Sequence, residues 1–326
     1  MSVTVGFTGD VMLGRTVDER QRRRSVDAVW GDLLEHLRGL DALFVNLECC
    51  LSRRGRQWRR THRPFHFRAD PEWAVPALER AGVDWATLAN NHLLDFEEVA
   101  LVDTLDALDG AGIARSGAGR DEREALAPAT VAVGDLTVAF VSLTDNTPEF
   151  AAGPDSPGVA RAELGPEGRD LIERSLARAR ERVPDLLVAS LHWGPNMVAE
   201  PFDEHERFGR WLLERGVDLV HGHSAHAFKT VESRPEGAIL YDCGDFVDDY
   251  RVDPDLRNDR SFLFEVTVGE DGELREVRLL PVEISDCAVH RATGDVAEWC
   301  RETMRERSAG YDVAFERDGE SLVAAL

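Results

Sequence analysis

Asp84-Trp85-Ala86-Thr87-Leu88-Ala89-Asn90-Asn91-His92 is a short apolar run that breaks into three polar residues, and an amphipathic segment follows it. The run Asp84–Ala89 has the length and composition of a buried strand. From Glu97 to Leu108, Val99, Leu101, Val102, Leu105 and Leu108 recur at near-helical spacing until Gly110 and Gly112 stop the pattern. The unit is therefore strand, polar turn, helix.

The same unit repeats on both sides. Towards the N-terminus, Val3–Thr8 reads as a strand ending in Gly9-Asp10, and Val26–Leu37 as a helix. Ala42–Leu47 is the next strand, ending in Asn46-Leu47-Glu48, and Glu72–Ala81 the next helix. Towards the C-terminus, Ala129–Val133 and Thr137–Leu143 flank Gly134-Asp135 as a hairpin. Helices are expected near Glu167–Arg182, Glu204–Arg215 and Val296–Arg307. Strands are expected at Leu186–Leu191, Asp218–Val220, Ile239–Tyr241, Phe262–Val268 and Leu274–Val282. Such alternation predicts an α/β fold, with one domain over 1–285 and a C-terminal helical extension over 286–326 packed on it.

A chain of 326 residues with 43% hydrophobic content has enough apolar material for a large core. No stretch approaches the roughly 18 apolar residues of a membrane helix, and Met1–Asp10 has no basic start before a long apolar segment. A cytoplasmic protein without membrane insertion is expected. The formal charge is −23, and Lys229 is the only lysine. A halophilic cytoplasm or an arginine-favouring codon usage accounts for both. Nucleic-acid binding normally leaves a basic footprint, so no such partner is expected. Cys49, Cys50, Cys243, Cys287 and Cys300 form no C-x-x-C pair and read as reduced thiols.

Five polar clusters follow predicted strands: Gly9-Asp10, Asn46-Leu47-Glu48, Asn90-Asn91-His92, His192-Trp193-Gly194, and His221-Gly222-His223 with His226. Open α/β sheets bind ligands outside the carboxyl ends of their strands, so these clusters converge. A single histidine there is usually structural; five clusters together outweigh that reading. Imidazole, carboxylate and amide donors without thiolates suit Mn, Fe or Zn rather than calcium. A bridging carboxylate would hold two such cations within about 4 Å, the spacing of hydrolases that generate their nucleophile from water.

Gly9-Asp10-Val11-Met12-Leu13-Gly14-Arg15, Asn46-Leu47-Glu48, Ala89-Asn90-Asn91-His92-Leu93-Leu94-Asp95, His192-Trp193-Gly194 and Gly222-His223-Ser224-Ala225-His226 resemble the CapA family. These poly-γ-glutamate capsule synthesis proteins belong to the calcineurin-like metallophosphoesterase superfamily, and the likeness runs in order from Val3 to Asp248. It implies a four-layer αββα sandwich of the metallophosphoesterase type, with two divalent metal ions. Asp10 and His226 would hold the first metal, Glu48 would bridge, and Asn91, His192 and His223 would complete the second. His92 would be the general acid and Asp95 would orient it. Arg15, Asn46, Asn90 and Arg63 are the candidate substrate contacts. The chain departs from the pattern at four points. Met12 stands where the superfamily has a metal-binding histidine. Ser224-Ala225 stands where relatives have His-Pro, and Gly244-Asp245-Phe246 where they have Gly-Asn-Phe. The N-terminal membrane anchor of exporting relatives is not seen.

The implied function is metal-dependent hydrolysis of a phosphate ester or related anionic group, linked to poly-γ-glutamate or capsule polymer. The partners are then a small anionic substrate or polymer end, and capsule-synthesis proteins. Two alternatives belong to other classes: a non-catalytic soluble accessory subunit of the polymer synthase, which Met12 favours, and a nuclease, which the charge disfavours. Arg53, Arg54, Arg56, Arg59, Arg60 and Arg63 crowd the loop after Glu48. They are either forked donors for an anion or a solvated loop on an acidic surface. Cys49 and Cys50 are expected as small buried residues, Trp193 as core, and His62 and His66 as ordinary loop residues.

Overall fold

The computed structural model describes residues 2–326; Met1, where the expected first domain begins, lies outside the described residues. The chain folds as a mixed α/β protein with two large sheets. In the ten-stranded sheet, Val3–Val11 runs parallel to Ala42–Leu47, which is followed in parallel by Val83–Thr87 and Ala114–Ser116. On its other side lie the antiparallel strands Arg260–Val268 and Leu274–Ser285, then Ser321–Ala325 and Glu316–Asp318. The six-stranded sheet has the order Val231–Arg234, Gly237–Leu240, Leu219–His223, Leu186–His192, Leu136–Thr144, Ala129–Val133. Its four inner strands are parallel.

Strands covered on both faces have no reason to alternate, which is why Leu186–His192 is buried along its whole length. Three hydrophobic clusters divide the interior. The first joins the outer face of the large sheet to the helices Pro71–Ala81 and Glu97–Ala111, through Val45, Leu78, Leu101 and Leu105. The second lies between the sheets, where Trp85 stacks on Phe140 at 4.0 Å and Phe44 meets Phe140 edge-on at 4.7 Å. The third joins the small sheet to the helices Pro166–Arg180 and Asp203–Glu214, through Val141, Leu176 and Leu212.

The segment read as one helix from Val26 to Leu37 is a 3-10 helix, Val26–Leu33, followed by a single α-turn, Leu34–Leu37. Gly31 breaks it, at φ 49°. A side chain there would sit 2.3 Å from the Val289 carbonyl oxygen, so the strand Ala288–Arg291 packs where a regular helix would bulge. The helix expected near Val296–Arg307 spans Gly294–Arg307, and the hairpin Glu316–Asp318/Ser321–Ala325 after it joins the large sheet. Among the described residues, no helix is long and apolar enough to cross a membrane.

Candidate metal centre

The parallel strands of both sheets end at one place. Asp10 lies near the end of Val3–Val11, beside Asn46 on one neighbouring strand and Asp245 on the other. Gly9 permits this crowding: a side chain there would sit 1.8 Å from the Gly244 carbonyl oxygen. In the small sheet, His192 and His223 are register partners at the last positions of their strands. Asn91 and His92 follow Val83–Thr87, and His226 stands in the turn after His223 at φ 59°.

Two groups of donors each lie within 4.8 Å of one another: Asp10 with His192 and His223, and Asp10 with Glu48 and His226. Asp10 is common to both. Glu48, expected in the shared place, belongs to the second group only, and its Oε1 lies 3.8 Å from His192 Nε2. His192 Nε2 lies 3.1 Å from Asn91 Oδ1, and the Nδ1 atoms of His192 and His223 are 2.9 Å apart. His226 Nδ1 is 3.3 Å from Asp10 Oδ2 and 2.9 Å from Asp245 Oδ1.

The electrostatics fit a cation. Burial pushes His192 down to about 4 and His223 well below its ordinary value, so both present neutral imidazoles at pH 7. Burial, then the Asp10 charge, raises Glu48 well above the usual carboxylate range, and burial does the same to Asp245. Burial also opposes the charge on Asp10 and on His226. For Asp10 the His226 and His192 imidazoles outweigh it and hold the carboxyl low; for His226 the surrounding carboxylates raise it. Asp10 Oδ2, Glu48 Oε1 and Asp245 Oδ2 are buried without a hydrogen-bond partner among the described residues. Burial disfavours the ionised forms of Glu48 and Asp245, and a cation among these oxygens would supply the missing compensation. Oxygen and neutral imidazole donors are the set that divalent transition metals take.

His92 and Asp95 are also together. His92 Nδ1 lies 2.5 Å from Asp95 Oδ2, its ring stacks on Phe67 at 3.8 Å, and its Nε2 is 3.9 Å from Glu48 Oε1. Burial lowers the His92 pKa, against the pull of Asp95. Arg15 lines a cavity of about 560 Å³ that opens onto His92, His226 and Tyr250.

The other expected substrate contacts use their donors inside the protein. Asn46 Nδ2 donates to Asp10 Oδ1 at 2.6 Å, and Asn90 Nδ2 donates to Asn46 Oδ1 and the Leu47 carbonyl at 3.1 and 2.8 Å. Arg63 binds Asp95, the Asn91 carbonyl and Thr147, tying down the turn that carries Asn91 and His92. Elsewhere in the arginine loop, Arg53, Arg54 and Arg60 pair with Asp70, Asp103 and Glu98. Cys49 and Cys50 are buried, with thiols raised by burial, and Trp193 donates to the Tyr241 carbonyl in the core. Met12 is buried too, and its sulfur accepts from Gly14 N at 3.0 Å.

Two residues at the centre escaped the sequence reading. Tyr250 is one: its hydroxyl donates to Glu48 Oε2 at 2.9 Å and its ring packs edge-on against His226. Asp245 is the other: the sequence shows it only as a departure from Gly-Asn-Phe, with no role attached. The Gly-Asp-Phe motif was its signal, whereas nothing local marks Tyr250.

Known proteins share this chain's pattern. The family model described as bacterial capsule synthesis protein PGA_cap matches residues 4–250. A Mycobacterium tuberculosis protein named as a probable polyglutamine synthesis accessory protein is 33% identical over 99% of this chain and 96% of its own length. The capsule biosynthesis protein CapA of Bacillus anthracis is 27% identical over 76% of this chain and 60% of its own. Among solved structures, a hypothetical protein from Thermus thermophilus is similar in fold, with a TM-score of 0.50 at 20% identity over 86% of this chain and 99% of that one. With the match of the family model and the full-length mycobacterial relative in agreement, the chain belongs to the PGA_cap family of bacterial capsule synthesis proteins, the family of CapA.

Proposed function

We propose that this protein is a metal-dependent hydrolase of the metallophosphoesterase type, acting on a phosphate ester or related anionic group in capsule or poly-γ-glutamate metabolism. The observation that carries it is the convergence of buried Asp10, Glu48 and Asp245, each with a carboxylate oxygen that has no hydrogen-bond partner among the described residues, on His226 and the neutral imidazoles of His192 and His223. The three hydrophobic clusters, helix on sheet, sheet on sheet and sheet on helix, support a four-layer αββα sandwich. The expected domain over 1–285 would be its body, and the extension over 286–326 adds the strands Ala288–Arg291 and Ser321–Ala325 to its large sheet besides the helix Gly294–Arg307. Five free, buried cysteines support a cytoplasmic setting. Capsule-synthesis proteins are the expected partners, and a small anionic substrate or polymer end the ligand.

Two divalent ions, Mn, Fe or Zn, are the proposed cofactors. Asp10 and His226 would hold the first, Glu48 would be shared between the two, and Asn91, His192 and His223 would hold the second. When bound, they supply a Lewis acid and a nucleophile from water. The protein's own groups do the rest. Asn46 fixes one oxygen of Asp10, and Asn90 fixes Asn46 in turn. Arg63 holds the Asn91–Asp95 turn. Asp95 orients His92 through Nδ1, so that Nε2 faces the cavity and delivers a proton to the leaving oxygen. Arg15 meets the substrate's negative charge at the cavity mouth.

A second reading, a non-catalytic accessory subunit, is favoured by Met12, whose side chain is turned into the core where the superfamily has a ligand. One experiment separates the two. Protein incubated with Mn, Fe or Zn should carry up to two ions per chain by elemental analysis and turn over a phosphomonoester or phosphodiester. His92→Ala should keep the metal and lose roughly a hundredfold in turnover, with a smaller loss on nitrophenyl esters, whose leaving groups need little proton. Protein that takes up no metal sinks the hydrolase. Metal-loaded wild type as inactive as His92→Ala on every ester puts the accessory subunit first.

A further inference from the structure

Large apolar side chains exposed on a protein surface normally scatter singly. Here three of them ring one opening. Phe65, Met197 and Val252 are 55%, 37% and 43% exposed, come from three separate loops, and all line the cavity of about 560 Å³ that reaches His92 and His226. Among the described residues, only Val183 and Phe202 are comparably exposed.

This rim is built, not frayed. Met197 has φ 59°, a conformation few side chains adopt, and its backbone N–H donates to the Ala225 carbonyl at 2.8 Å. Phe65 stacks on Phe67, and Phe67 stacks on the His92 ring, so an apolar wall runs from the mouth to the expected proton donor. Arg15, at φ 55°, places its guanidinium 5.4 and 5.6 Å from the Phe65 and Phe67 ring centres and 3.4 Å from Asp249. Arg251 lines the same cavity.

Positive charge set into an apolar wall selects for both properties at once. A plain polyanion lying across the mouth would press its successive charges against Phe65, Met197 and Val252, stripping their water without replacing it. An anion with an apolar body leaves its charge to the arginines and the inner site, and its body covers the rim.

We infer that the substrate is an amphiphilic anion, a phosphate or related group attached directly to an alkyl or aryl body. The inference rests on the hydrolase reading and names its substrate class. Binding of n-alkylphosphonates, measured by titration calorimetry below their micellar concentration, tests it. Affinity should rise by on the order of threefold per methylene until the rim is covered, putting octylphosphonate at least roughly thirtyfold ahead of methylphosphonate. Phe65→Ser and Val252→Ser should bring that ratio below about threefold, while Val183→Ser, exposed elsewhere, should leave it alone. Metal-dependent binding of methylphosphonate with a flat chain-length series overturns the amphiphile and spares the hydrolase. No binding by a protein that also takes up no metal overturns both. A flat series with co-flotation on phosphatidylglycerol vesicles gives the rim to a bilayer surface and overturns the proposal as well.

Discussion

Asp245 shows how one carboxylate changes a site. Its Oδ1 lies 2.9 Å from His226 Nδ1, its Oδ2 has no hydrogen-bond partner among the described residues, and its backbone pairs with that of Asp10. A carboxylate on one ring nitrogen fixes the tautomer and orientation of a metal-binding histidine and strengthens the other nitrogen as a donor. Asp245→Asn keeps the shape and removes the charge, so metal affinity measured by competitive chelation should fall about 10- to 100-fold. Unchanged affinity would reduce Asp245 to packing. Asp10, Glu48, Asn91, His192, His223 and His226 were legible because each closes an apolar run, or follows one within a few residues, where a buried strand has no other use for a polar side chain. Tyr250 was not. Its hydroxyl reaches Glu48 across 202 positions of chain, a contact that no local pattern encodes.

Among the elements, the long apolar strands and the capped helices were the easiest to read. Asp70 accepts from the Glu72 N–H at the start of Pro71–Ala81, and Gly112 ends Glu97–Ala111 in the left-handed conformation. Several short strands escape such a reading, because three to five residues show little period: Asp245–Val247, Val231–Arg234 and the final hairpin are among them. Val231–Arg234, an edge strand, carries a consequence for acid stability. Burial alone would raise Glu232, but bonds from Arg210 at 2.9 Å, Tyr241 at 2.6 Å and Arg234 at 3.0 Å hold it below its ordinary value of 4.5. A carboxyl lowered by folding stabilises the protein above the unfolded value, and that contribution is lost as pH falls through the folded one. Glu232→Gln should therefore cost about 1.5–3 kcal/mol at pH 7. The gap from wild type, followed by thermal melts, should close as pH drops below 4.5. A gap that stays constant to pH 3 would show that the ionised form is not what the network needs.

For the molecule as a whole, the α/β class followed from alternation, but the partition into two sheets did not. Leu186–His192 and Ala42–Leu47 are both apolar runs, and nothing within either says that they belong to different sheets. That division is made by contacts such as Trp85 on Phe140, which exist only once the sheets have met. The five cysteines happen to be distributed across it. Cys49, Cys50 and Cys287 lie in the cluster between the large sheet and its helices, and Cys243 and Cys300 lie between the sheets. Burial raises every one of these thiols, Cys300 to about 12. An alkylating reagent therefore finds no thiolate until a layer parts, and the chain carries its own unfolding clock. Timed alkylation read by mass spectrometry should mark Cys287, the least enclosed at 7% exposure, first. Cys243 and Cys300 should follow together, at the rate of global opening. Prompt labelling of Cys243 in native buffer would mean that the two sheets separate while the rest of the protein stays folded.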